Sequence, residues 1–280
     1  MARSNLKALT DPPFSVESFQ AALKTGQFGR VLHLRRKIGS TNTLALSLAD
    51  RGAPEGAVVL SDAQTRGRGR QGRTWISPPG VNLYFSIVLR PGTPALQNGL
   101  LALCAAGAVA AAIEHFSGLP ARLKWPNDVL IYEKKIAGLL LEGSIQNGKH
   151  RHLVLGIGIN VNLDIGTLPE GLRATTTSLR NELGCKASRI VIFGHLLEHL
   201  ERAYRSFLTI PLEKSIEVYA ARAATIGQTV RIQDADGAWS AQAIGLALDG
   251  ALIVQLADGS RRLLHAEDIL HIRGHHASCD

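Results

Sequence analysis

Cysteine is scarce in this 280-residue chain: Cys104, Cys185 and Cys279 are widely spaced, odd in number and form no CxxC pair. That argues against a disulfide framework or a thiolate zinc site and points to a reducing compartment. A secretory leader is missing as well. Met1 to Phe14 has no apolar core and carries Pro12 and Pro13, which is not the pattern of a signal peptide. Long hydrophobic runs are also lacking. The longest, Leu100 to Ile113, is alanine-rich and falls short of the ~20 residues a bilayer requires, so it reads as a buried helix. No membrane association is expected, and the expected location is cytoplasmic. There is no internal repeat or low-complexity tract. With 45% hydrophobic and 19% charged residues, wholesale disorder is excluded.

What is present is enough chain for one large domain, or one large and one small. The net charge is +8. Much of that charge is local, because Arg66, Arg68, Arg70 and Arg73 fall within eight positions. Such a cluster favours a phosphate-handling loop over a generally basic surface.

Alternation over Arg30–Ile38 predicts a strand, after which Ser40 offers a cap for a helix running to about Asp50. Ala57–Ser61 and Asn82–Leu89 read as strands, and Pro94–Phe116 as a long helix. Ala121–Trp125, Lys135–Glu142 and His150–Asn160 are further strands, the last two joined by an Asn147-Gly148 hairpin turn. Ile190–Leu208 is amphipathic and predicts a helix, with another after Pro211. From about Ala224 the character changes to five short runs: Thr229–Ile232, Ala241–Ala247, Ala251–Leu256, Arg261–Leu264 and Ile269–Arg273. Their turns carry Asp236-Gly237, Asp249-Gly250 and Asp258-Gly259. This is the pattern of a small barrel appended to an α+β domain.

Three motif matches fail in context. Gly67 to Gly72 fits G-x-G-x-x-G, but Trp75 and Pro78-Pro79-Gly80 follow where a dinucleotide fold needs a helix. Gly143 to Lys149 fits G-x-x-x-x-G-K, but His150 stands where a P-loop has Ser or Thr, and a strand continues. His195 to His199 fits H-x-x-E-H. Phe193, Leu196, Leu200, Tyr204 and Phe207 form the apolar stripe of that helix, which leaves both histidines on its polar side with Arg202 and Arg205.

Four other segments carry chemistry together. Gly67–Arg73 sets glycines between arginines, so backbone can wrap a ligand while guanidinium forks meet phosphate or carboxylate. Lys124-Trp125-Pro126-Asn127-Asp128 places a cation, an aromatic, an amide and a carboxylate at a strand end. Lys135-Ile136-Ala137-Gly138 opens a leucine-rich strand with a lysine. Gly156-Ile157-Gly158-Ile159-Asn160 leaves one strand face bare, either for something flat to lie on or for close sheet packing.

With Ser40-Thr41-Asn42 ahead of them, these segments resemble the biotin–protein ligase family in identity, order and spacing, over roughly residues 30–275. The resemblance implies a mixed β-sheet catalytic domain flanked by helices, like the class II aminoacyl-tRNA synthetases, and a small C-terminal SH3-like β-barrel. Its boundaries would be an extension at 1–29, a catalytic domain at 30–223, the barrel at 224–275 and a tail at 276–280. It also implies biotin as substrate, ATP as co-substrate with Mg²⁺, and no tightly bound metal. Ser40, Thr41, Asn42 and Gln64 would line the biotin pocket, while Arg68, Gly69 and Arg70 would close over biotin and the phosphate of the intermediate. Lys135 would bridge the biotin carboxylate and the α-phosphate, acting in catalysis with Arg68 and Arg70. Trp75 would cover the adenine, with Lys124, Asn127, Gly138 and Asn160 near the nucleotide. Asp128 would be linked to Mg²⁺ or to loop order.

The implied partner is a biotin carboxyl carrier protein or domain of a carboxylase, and a homodimer is left open. Regulatory family members carry an N-terminal DNA-binding winged helix. Only about 39 residues precede Ser40, with one short helix at Ser15–Lys24, so DNA binding is not expected. The alternatives are a lipoate–protein ligase-type enzyme, which the arginine–glycine loop and Lys-Trp-Pro-Asn-Asp argue against, and a non-enzymatic regulator.

Overall fold

The computed structural model describes residues 14–94, 97–146, 149–234, 237–266 and 271–274. In chain order the first elements are α1 (Val16–Ala21), β1 (Leu32–Ile38), α2 (Thr41–Asp50), β2 (Val58–Gln64), β3 (Leu83–Leu89) and α3 (Asn98–Ser117). Then come β4 (Ala121–Lys124), β5 (Asp128–Ile131), β6 (Lys134–Gln146), β7 (Lys149–Ile159), α4 (Glu170–Arg173), α5 (Leu179–Leu183), α6 (Arg189–Phe207) and α7 (Leu212–Ala220). The last five strands are β8 (Thr229–Asp234), β9 (Gly237–Leu246), β10 (Leu252–Gln255), β11 (Arg261–Leu264) and β12 (His271–Gly274).

The large sheet has the order β1-β2-β3-β7-β6-β5-β4, parallel only between β1 and β2. Leu83-Tyr84-Phe85-Ser86-Ile87-Val88-Leu89 is buried throughout, as expected of a central strand covered on both faces. Leu83, Phe85, Ile87 and Leu89 join the main core with α3 and α6. The alternate face meets α2, where Ala45 and Ala49 pack with Val59, Val88 and Val154.

Helix α3 is twenty residues long, apolar enough by composition to cross a membrane. The helix expected over Pro94–Phe116 is thus found at nearly those bounds. What makes it a core helix is packing, because Leu100, Leu101, Val109 and Ile113 are buried and α6 lies against it. Gly118 closes it in the left-handed region (φ 68°), donating to Glu114 O at 2.8 Å. Helix α6 buries its expected stripe of Phe193, Leu196, Leu200, Tyr204 and Phe207. Its Glu201 is buried too, accepting from the amides of Gly26, Gln27 and Phe28 at 3.0–3.2 Å. His195 and His199 lie near His115, with ring centroids at 5.3 and 5.7 Å. Among the described residues, however, no group of three or more His, Cys, Asp or Glu side chains could hold a metal ion.

Gln146 pairs with Lys149 across β6 and β7, while the expected Asn147-Gly148 turn lies outside the described residues. No helix follows Gly72 or Lys149: the first segment makes only a short 3₁₀ turn at Arg70–Gly72, and the second is strand. Two elements differ from expectation more strongly. Asp128–Ile131 is a strand, and the segment after Asn160 contains the short helices α4 and α5.

The second sheet is antiparallel throughout, in the order β11-β10-β9-β8-β12. Val230, Ile232, Ala243, Leu252 and Val254 form its buried side. Gly250 (φ 87°) and Gly259 (φ 84°) make the expected Asp-Gly turns, whereas Asp236, residues 269–270 and 276–280 lie outside the described residues. Trp125 ties this sheet to the large one. It is fully buried, its indole N–H donates to Gly250 O at 3.0 Å, and its amide donates to Thr225 Oγ1 at 3.0 Å.

Candidate active site

The parallel pairing of β1 and β2 sets Ile38 opposite Gln64, so the connections leaving both strands start side by side. One is Gly39-Ser40 leading into α2; the other is the arginine–glycine segment. Gln64 Oε1 accepts from the Thr41 amide (2.8 Å) and hydroxyl (3.1 Å), and Gln64 Nε2 donates to Ser77 Oγ (3.1 Å). Ser40 sits at the N-cap position as expected, but its side chain makes no capping hydrogen bond. The residue lines the cleft.

Register explains how the other site residues share one surface. Tyr84, Gly158, Gly138, Asp128 and Lys124 are successive cross-strand partners, and directly opposed residues lie on the same face. Lys135 would belong to the opposite face of a regular β6. Val129 pairs with Ala137 but Leu130 pairs with Lys135, so Ile136 is one extra residue in β6. This bulge returns Lys135 to the cleft face. There its Nζ lies 2.6 Å from Asp128 Oδ1 and 5.2 Å from the Trp75 ring centroid.

The bare glycine face has occupants from the protein itself. A Cβ on Gly158 would sit 2.5 Å from Trp75 Cε2, and one on Gly138 2.9 Å from Trp75 Cζ3. The indole therefore lies across both glycines. A Cβ on Gly156 would be 2.0 Å from Asn42 Oδ1. The arginine–glycine segment folds as a small hairpin, in which Gly69 N donates to Arg73 O (2.7 Å) and Trp75 N to Gly67 O (3.0 Å). Arg68 pairs with Glu142 at 2.8 Å, and Arg70 donates to Ala266 O in the second sheet region.

Every residue given a site role above lines one cleft of about 980 Å³: Ser40, Thr41, Asn42, Gln64, Arg68, Gly69, Arg70, Trp75, Lys124, Asn127, Asp128, Lys135, Gly138 and Asn160. That size suits a small molecule plus a nucleotide. The three asparagines in the set are, like Gln64, engaged within the wall. Asn42 accepts from Ser86 Oγ (2.6 Å) and donates to Glu142 Oε2 (2.7 Å), Asn127 donates to Leu139 O (2.7 Å), and Asn160 to Thr177 O (3.0 Å). Ser86 and Glu142 escaped the sequence reading. Neither stands in a motif, although counting alternate residues from Gly138 through Leu140 places Glu142 on the cleft face.

The sheet, the cleft and the appended small sheet together define a protein ligase of the biotin/lipoate type. Residues 34–160 match the model of the "Biotin/lipoate A/B protein ligase family", and residues 225–271 that of the "Biotin protein ligase C terminal domain". The chain belongs to the biotin protein ligase family. It is 35% identical over 256 residues to the bifunctional ligase/repressor BirA of Bacillus subtilis, covering 90% of this chain and 78% of that one. Over 273 residues it is 32% identical to the biotin–[acetyl-CoA-carboxylase] ligase of Mycobacterium tuberculosis, covering 94% and 97%. The biotin protein ligase from Aquifex aeolicus in complex with biotin and ATP superposes with a TM-score of 0.74 at 28% identity, over 88% of this chain and all of that one.

Proposed function

We propose that this chain activates biotin with MgATP and transfers it to a lysine of a biotin carboxyl carrier protein or carboxylase domain. The observation that carries the reading is the convergence of Lys135, Arg68 and Arg70 on one cleft with Ser40, Thr41 and Gln64. In the first step the biotin carboxylate attacks the α-phosphorus, pyrophosphate leaves and biotinyl-AMP forms. In the second, the neutral amine of a carrier lysine attacks the acyl carbon and AMP leaves.

Two anions must meet in the first step, and fixed cations lower the cost of their approach. Lys135 serves the carboxylate and the α-phosphate, Arg68 and Arg70 the phosphate, and Gly69 allows close backbone approach. Ser40, Thr41 and Gln64 read the ureido ring, and Asn42 shapes the pocket behind it. Trp75 and Gly138 cover the nucleotide, with Lys124, Asn127 and Asn160 around it. Magnesium arrives as part of the substrate, bound mainly by phosphates, as is usual for this ion. Asp128, 2.6 Å from Lys135, positions that lysine and is the carboxylate we link to Mg²⁺ or to loop order.

The same reading takes the small sheet as the SH3-like barrel (224–275), the large domain (30–223) as related to class II synthetases, and the location as cytoplasmic. It gives the arginine cluster to anionic substrates instead of DNA and leaves room for a homodimer. Biotin-dependent exchange of pyrophosphate into ATP is the decisive assay. Exchange supported by lipoate in place of biotin would overturn the substrate assignment, and salt-sensitive DNA binding would overturn the reading of the charge.

A further inference from the structure

We infer that Glu142 is a positioning residue for biotin capture, tethering the arginine–glycine hairpin to the cleft through Arg68; the biotin half of this inference rests on the function proposed above. A carboxylate beside a site for two anions needs a reason to be there. Glu142 stands four residues along β6 from Gly138, beside which the Lys135 ammonium lies, and at ~3.3 Å per residue this places it about 13 Å from that cation. Its Oε2 accepts from Arg68 at 2.8 Å and from Asn42 Nδ2 at 2.7 Å. Asn42 is itself fixed, 4% exposed, accepting from Ser86 and donating also to Leu140 O at 3.3 Å.

One oxygen thus joins the wall of the cleft to the hairpin. Arg68 is a sound point of attachment, because it bridges to Thr74 across the base of the hairpin, next to Trp75. Without an anion for Arg68, the neighbouring charges of Arg66, Arg70 and Arg73 favour an open hairpin. Glu142 offsets that repulsion before any substrate arrives. Less order then remains to be imposed by biotin, which strengthens capture without new ligand contacts.

The test compares hydrogen exchange of segment 66–75 and biotin-dependent pyrophosphate exchange in wild type and Glu142→Gln. The glutamine keeps an acceptor for Asn42 but removes the charge facing Arg68. Segment 66–75 should exchange about threefold to fivefold faster in the variant, the scale of a partly exposed ion pair. The biotin KM should rise by a similar factor, and more than kcat falls. Added salt should loosen the segment in wild type by screening the Arg68–Glu142 pair, an arm that stands even if the variant folds poorly. Unchanged exchange in Glu142→Gln, or a salt-insensitive segment in wild type, would overturn the tether. If the tether is detected but wild type shows no biotin-dependent exchange, the functional reading fails instead.

Discussion

Lys135 and Asp128 form an ion pair at 2.6 Å across neighbouring strands, each partly exposed to the cleft. The lysine is therefore held in place before substrate binds. Lys135→Ala should reduce biotin-dependent pyrophosphate exchange ~10²-fold or more while leaving the circular dichroism spectrum intact. Asp128→Asn should cost less, because the cation survives but loses its partner. Near-normal exchange in folded Lys135→Ala protein would sink the proposed mechanism.

Tryptic cleavage within residues 66–73 should be fast in the free protein and clearly slower with biotin plus MgATP. MgATP alone should protect less, if Arg68 and Arg70 meet biotin as well as phosphate. Equal rates in all three conditions would mean that the hairpin does not close over the intermediate.

Gly158→Ala would drive a Cβ to 2.5 Å from Trp75 Cε2, so the indole must leave its shelf or the strand must shift. A loss of about 1–3 kcal/mol in stability and an altered tryptophan emission are expected. An unchanged melting curve together with unchanged emission would show that the indole does not occupy that shelf in solution.

The small sheet should support the large one through Trp125. Trp125→Phe removes the N–H that meets Gly250 O and should lower stability by about 1 kcal/mol in urea titrations. Truncation after Ala224 strips cover from a larger apolar surface and should cost more, along with slower transfer to a carrier. A truncated chain that is as stable and as fast would refute this role.

Acidification should destabilise the fold below the ordinary imidazole pKa. Burial pushes His152, His195 and His199 down from 6.5, with Asp50 opposing the shift at His152. A depressed folded-state pKa means that the unfolded chain takes up protons first, so stability falls as pH drops through about 6.5 and levels off below the folded values. Urea midpoints between pH 7.5 and 5 report this directly, and a midpoint that rises on acidification contradicts it.

Much of this architecture was legible from residue patterns. The apolar stripe of α6 and the Asp-Gly turns at Gly250 and Gly259 are local signals that the structure follows, and β1 forms where expected, although its burial does not alternate. Asp128–Ile131 was missed because Asn127-Asp128 reads as a turn, whereas the strand forms by pairing on both sides with β4 and β6. The segment holding α4 and α5 has no sustained period, and its helices of four and five residues are too short to show one. In the cleft, motif residues were visible as types but their roles in the wall were not. That Asn42 is engaged by Ser86 and Glu142, or that Trp75 lies on Gly138 and Gly158, depends on contacts between distant strands that spacing does not encode.

The extra residue at Ile136 separates the packing of β6 from the placement of its lysine. Removing Ile136 would restore regular pairing with β5, with Gly138, Ala137 and Lys135 meeting Asp128, Val129 and Leu130 in turn. Lys135 would then stand two residues from Gly138 and still face the cleft, so what is lost is the fully buried Ile136 side chain and not the cation. A single-codon deletion at this place would therefore weaken the fold more than the chemistry, whereas replacing the lysine would do the reverse.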